Sequence, residues 1–195
     1  HHVPHDGSQT DLRLLFRAPA ETAPDYPALQ LLARIIDDGF STRLYHRVCD
    51  ELGLAYDVGG GIEAFADCGL YGVDASCAHT SVAPLLREAL GVLARLRDEP
   101  PSDEELAKAR RRYRWDLMAS FDDPDAMAGW WAGTELFYPP VGFDEKVQRI
   151  DAVTPDQVRE LARRVFRSDR LTVVTVGQLE GGPLGEVRKV VDSFR

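Results

Sequence analysis

Two glycines, Gly39 and Gly53, constrain this chain more than any other feature, because they fix where three successive elements must stop and start. They sit inside the stretch D-D-G-F-S-T-R-L-Y-H-R-V-C-D-E-L-G-L-A-Y-D-V-G-G-G-I, which runs from Asp37 to Ile62. Glycine takes the left-handed backbone that ends a helix without the strain a Cβ brings. The pattern predicts a helix over 25–38 that buries Leu29, Leu32 and Ile36, with Leu31 and Ile35 widening the stripe, and that stops at Gly39. Ser41 is the expected cap of a short helix over 42–52, whose Leu44, Val48 and Leu52 share one face. Gly53 ends that helix. Leu54 to Val58 then alternates as the start of a strand over 54–63, running into Gly59-Gly60-Gly61. Two tight stops therefore deliver Tyr56 onto the beginning of a strand.

The remaining segments fit around this stretch. Residues 1–8 read as a polar lead-in, a flexible end or a tag. Residues 9–17 alternate Leu12, Leu14 and Phe16 against Asp11, Arg13 and Arg17, the signature of a half-buried strand. Ala66–Gly69 turns into a second strand over 70–77, closing a hairpin. Ser81 is expected to cap a helix over 82–97, with Pro84 harmless in its first turn. Pro100-Pro101 breaks the chain, and Ser102-Asp103-Glu104-Glu105 is a capping box for a helix carrying Leu106, Ala109, Tyr113 and Leu117. Asp123-Pro124 opens a further helix, 143–153 a short one, and Thr154-Pro155-Asp156-Gln157 is a second capping box. The apolar run 171–176 predicts a central strand, and 186–195 a last amphipathic helix. This order is that of an α+β fold: a largely antiparallel sheet with helices packed on one face, in a single domain over 1–195.

Charge and cysteine use exclude several partners. A net charge of −9 argues against nucleic acid, which needs a basic face. Arg110, Arg111, Arg112 and Arg114 do cluster, but they share their helix with Glu104, Glu105 and Asp116 and read as a solvated face. No apolar run reaches the ~18–20 residues of a membrane span. Cys49, Cys68 and Cys77 do not make a disulfide framework, which points to reduced thiols in a cytoplasmic type of protein.

G-F-S-T-R-L-Y followed by G-L-A-Y resembles the hallmark of the C-terminal half of the pitrilysin/insulinase, or inverzincin, metallopeptidases, a family that includes mitochondrial processing peptidases and bacterial relatives. The resemblance runs from the strand at Asp11–Arg17 to that at Leu171–Gly177. It implies one half of a duplicated two-layer molecule that closes over a zinc-bearing N-terminal half, on the same chain or in a homo- or heterodimer, and encloses a peptide substrate. In this family zinc is held by an H-x-x-E-H helix and a distant glutamate, so the resemblance places the zinc in the partner half and none in this chain. It further implies an Arg and a Tyr seven residues apart that hold the substrate, with the phenol helping to stabilise the tetrahedral intermediate. Tyr56 matches that Tyr as the catalytic contact. The Arg position, a substrate-binding one, is Cys49 here. A degenerate pseudo-peptidase half or structural scaffold subunit is the rival reading, favoured by that departure.

The other chemistry-bearing residues have plain readings. His1, His2, His5, His46 and His79 show no H-x-x-E-H or H-E-x-x-H spacing. His46, Cys49 and Asp50 fall on one helical face but read as a surface His and Asp beside a buried Cys. Arg47 would point away from the Cys49 side of its helix and is a poor substitute for the missing Arg. Gly59-Gly60-Gly61 lacks the Lys and Ser/Thr of a phosphate loop and marks a bulge or a close backbone approach. Trp130, Trp131, Phe137 and Tyr138 read as core rather than as a ligand platform.

Overall fold

The structure is a computed structural model describing residues 1–195, with eight α-helices and five strands. In chain order the elements are β1 (His2–Pro4), β2 (Thr10–Ala18), α1 (Tyr26–Ile36), α2 (Arg43–Tyr45), β3 (Val58–Ala64), β4 (Gly69–Cys77), α3 (Val82–Asp98), α4 (Asp103–Ala119), α5 (Pro124–Ala128), α6 (Phe143–Asp151), α7 (Pro155–Val165), β5 (Leu171–Gly177) and α8 (Gly182–Ser193). The sheet order is β1-β5-β2-β4-β3, antiparallel throughout except for β1 beside β5.

The α+β architecture follows from one strand. Along β2, Leu12, Leu14 and Phe16 are buried while Asp11, Arg13 and Arg17 are exposed, so one face of the sheet takes the core and the other is polar. β2 pairs with β4 over nine residues, from Thr10 opposite Cys77 to Ala18 opposite Gly69. That register sets Tyr71, Val73 and Ala75 on the buried face, where α1, α3, α7 and α8 supply Leu29, Leu32, Leu86, Leu93, Leu161 and Val187. Phe16 lies edge-on to Phe166 and Phe194, with ring centroids 5.2 and 6.0 Å apart. On the opposite face Arg13 bridges Glu63 at 2.5 Å and Asp74 at 3.1 Å.

Five local expectations are corrected. Residues 1–8 are not a free lead-in: His2–Pro4 pair with Thr175–Gly177, because the outer edge of β5 offers backbone groups that a short parallel strand can take. β5 is interior rather than central, since β2 is the middle strand. Ser41 does not cap the helix of the motif. Thr42 is the N-cap, with its hydroxyl turned back to Gly39 O (2.6 Å), while the Ser41 hydroxyl receives Lys108 Nζ at 2.5 Å. Ser81 occupies the N-cap of α3 without a side-chain cap, because a 3-10 turn over His79–Ser81 leads the backbone in. Both capping boxes are present, Ser102 with Glu105 and Thr154 with Gln157. The last helix starts at Gly182 rather than 186, using Pro183 in its first turn.

Candidate functional site

The candidate site is the segment between the end of α1 and β3, and local sequence builds it step by step. α1 stops at a C-cap aspartate, Asp37, and Gly39 turns the chain at φ +100°. α2 begins at Arg43 and runs into a wider π turn over His46–Glu51, which carries Cys49. Such turns concentrate where a helix has been re-aimed for function. Gly53 (φ +58°) closes it, with the Cys49 carbonyl accepting from Gly53 N–H at 3.2 Å and the Val48 carbonyl from Leu54 N–H at 2.9 Å.

That closure corrects the sequence reading of Tyr56. The Leu54 amide is committed to the helix end, so the ladder with β4 begins only at Val58, opposite Ala75. Tyr56 lies in the loop before β3, not on its first residues, and is 95% exposed. The loop is nevertheless held at both ends, because beyond Val58 the Gly60 N–H donates to Asp37 Oδ2 at 2.7 Å. Burial raises the Asp37 carboxyl above its ordinary range, a push that the Gly60 amide and Thr42 hydroxyl oppose. The triple glycine carries no bulge, and its middle member makes the close approach. A Cβ on Gly60 would stand 2.8 Å from the Tyr71 hydroxyl and 3.1 Å from Asp37 Cβ, inside contact distance.

On the same segment as Tyr56 the structure pairs two aromatics that the sequence reading passed over. Phe40, 75% exposed, packs edge-on against Tyr45 with centroids 5.0 Å apart. The Tyr45 phenol is raised by desolvation and by Cys49, Asp50, Asp57 and Tyr56. The signal was present in the motif, since Phe40 and Tyr45 are two of its seven letters. Cys49 is half-buried and packs against the core, and its thiol is raised by burial and by Asp57, Asp50 and Asp37, the reverse of a reactive thiolate. Arg47 is tied to Glu51 (2.7 Å) and Glu88 (2.8 Å), so it is engaged against α3 and does not stand in for an arginine at position 49.

The residues here do not fit a zinc ion. No group of three or more His, Cys, Asp or Glu converges anywhere in the chain, and His46 approaches only Glu51, at 3.9 Å. What the arrangement offers is a phenol held out to solvent, suited to donating a hydrogen bond without bringing a charge.

α2 is anchored from the other side by a bidentate pair, Arg43 to Glu105 at 2.6 and 2.8 Å, next to Arg34 and Arg112 on Asp38. The Arg43 guanidinium, helped by the Ser102 amide, holds the Glu105 carboxyl down to about 2, against an ordinary 4.5. A carboxyl depressed in the folded state stabilises fully above its unfolded value and loses that contribution as pH falls from about 4.5 towards 2. Glu105→Gln should therefore lower the thermal midpoint at pH 7 by the equivalent of about 1 kcal/mol, a figure kept small because water screens the pair. The gap between the two proteins should close between pH 4.5 and 2 in a melting series. A gap independent of pH over that range would show that the ion pair does not carry it.

Comparison with known proteins finds relatives of the whole chain. A family profile described as the peptidase M16 inactive domain matches residues 1–113. An uncharacterized zinc protease of Streptomyces coelicolor is 32% identical over 149 residues, covering 75% of this chain and 32% of its own. One of Mycobacterium bovis is 27% identical over 194 residues, covering 99% and 43%. The chain thus spans about a third to two fifths of these relatives. Among solved structures, a peptidase M16 inactive domain from Pseudomonas fluorescens superposes with a TM-score of 0.80 at 23% identity, over 92% of this chain and 43% of that one.

Proposed function

The chain belongs to the peptidase M16 inactive-domain family, and from that footing we propose that it is the C-terminal, substrate-enclosing domain of a longer zinc-dependent metallopeptidase. In this reading residues 1–195 close over an N-terminal half that bears the zinc, and the reaction is hydrolysis of a peptide bond held between the halves. This half binds and orients, and the zinc ligands come from the other half. The Tyr56 phenol donates a hydrogen bond to the carbonyl oxygen of the scissile bond, a bond that strengthens as the oxygen gains charge. Phe40 and Tyr45 offer apolar surface to the adjoining part of the peptide. Three free cysteines support a reducing setting.

The observation that carries this proposal is Tyr56 itself: an aromatic 95% exposed, on a loop pinned at one end by Gly53 and at the other by Gly60 on Asp37. A tyrosine kept for packing is seldom left in water on so fixed a loop.

The test is a peptidase assay on the full-length protein, with and without chelator, beside Tyr56→Phe. Chelator-sensitive cleavage should fall by about 10²-fold or more in kcat/KM in the variant, the cost of one oxyanion donor. Cleavage indifferent to the substitution would remove Tyr56 from the mechanism. The second reading, a degenerate half acting as a structural subunit, is favoured by Cys49 in the position where the family carries arginine. It predicts no cleavage in any pairing of the halves.

A further inference from the structure

A run of exposed apolar side chains lies at the end of α4 and in the helical turns after it. Trp115, Met118, Phe121, Trp131, Leu136 and Phe137 are all exposed, from 45% for Trp131 to 79% for Leu136. Those beyond α4 are gathered about the buried Trp130. Phe121 lies 6.0 Å from the buried Trp130 ring, Trp130 stacks on Trp131 at 5.9 Å, and the Thr134 hydroxyl ties the Trp130 carbonyl to the turn bearing Leu136 and Phe137. Sequence reading assigned Trp130, Trp131 and Phe137 to the core; only Trp130 is there, because its indole N–H is satisfied by Val141 O at 2.8 Å.

We infer that this patch is the docking surface for the zinc-bearing half of the same polypeptide. The inference rests on the proposed two-half reading and adds the place of contact. Three observations carry it. First, relatives that match nearly all of this chain continue for more than half their length outside it, so a body of comparable size has to pack somewhere. Second, residues 115–142 contain no Lys, Arg or His, and Asp122, Asp123, Asp125 and Glu135 are exposed within that segment; the one cation on its rings, Lys146 over Trp130 at 4.2 Å, is itself half-buried. A second copy placed symmetrically on the patch would set these carboxylates against each other, so the partner that fits has an apolar centre and a basic rim. Third, six half-exposed side chains present roughly 100 Å² each, about 600 Å² in all. That falls short of the ~800 Å² per partner of a stable complex between separate molecules. It suits a contact between linked domains, where the linker supplies the effective concentration.

The experiment is site-specific photocross-linking in the full-length protein, with Phe137→benzoylphenylalanine. The expected product has monomer mass and joins position 137 to a peptide from outside residues 1–195. Adding Leu136→Asp, at a side chain that takes no part in the core, should abolish it. A product of dimer mass would overturn the inference in favour of self-association. A cross-link confined to residues 1–195, none at all, or one indifferent to Leu136→Asp would overturn it in favour of a bare face. The cross-link is read without catalysis, so it can form even where the peptidase assay fails, and the two readings fail separately.

Discussion

Phe16→Ala should cost this domain about 3–5 kcal/mol, the largest stability loss expected of any single truncation described here. Phe16 is 1% exposed on the middle strand of the sheet and touches both Phe166 after α7 and Phe194 after α8. Removing it deletes a large transfer term, two edge-on ring contacts and the filling of a site whose walls are backbone-paired on both sides. β2 is bonded to β4 over nine residues and to β5 over six, so the strand cannot collapse into the void. At roughly 2–4 °C per kcal/mol for a domain of this size, the thermal midpoint should fall by about 6–20 °C. Calorimetry on the two proteins checks it. A drop of only 2–3 °C would mean that the core relaxes around the gap, and that the two helix ends are held by something other than this ring.

Gly69→Ala should cost about 3 kcal/mol, although it adds only one methyl group. A Cβ at position 69 would fall well inside van der Waals distance of the Pro19 carbonyl oxygen, with Pro19 C at 3.0 Å and Ala18 O at 3.2 Å. These are backbone atoms at the end of a paired strand, since Gly69 faces Ala18 across β2 and Ala64 across β3. The neighbour therefore cannot rotate away as a flexible side chain would. Urea unfolding should show a lower midpoint with an unchanged slope. Gly59→Ala is the control, because nothing lies within 4 Å of a Cβ there. Equal losses in the two variants would mean that glycine flexibility in the strands, not this close approach, sets the cost.

The fold was largely legible because its signals are local. The alternation Leu12-Leu14-Phe16 fixes which face of β2 is inside, and two capping boxes start α4 and α7 where the letters place them. The errors share one cause: they depend on what lies opposite in space. Residues 2–4 carry no strand pattern of their own and become β1 only because β5 leaves an edge to pair with. Ser41 and Thr42 are equally good caps by composition, and Lys108 on α4 takes the first. Within the candidate site the motif gave the neighbourhood of Tyr56 but not its loop position. The alternation of Leu54, Tyr56 and Val58 looks like a ladder, yet the Leu54 amide is spent on closing the helix before it.

The π turn over His46–Glu51 bears on how residues are matched between related chains. An α-helix advances about 100° per residue, so counting letters along it is also counting direction. In a turn bonded i to i+5 each residue sweeps a smaller angle, and the count and the direction fall out of phase. Position 49 lies inside that turn and position 56 beyond it, so a spacing of seven letters fixes an address in the chain but not a bearing in space. A relative with one residue fewer here could wind as plain α-helix and aim a differently numbered side chain at the same point. Function carried by a pair of residues is then conserved as a vector between two atoms, and the alphabet can keep or lose it independently of the number between them.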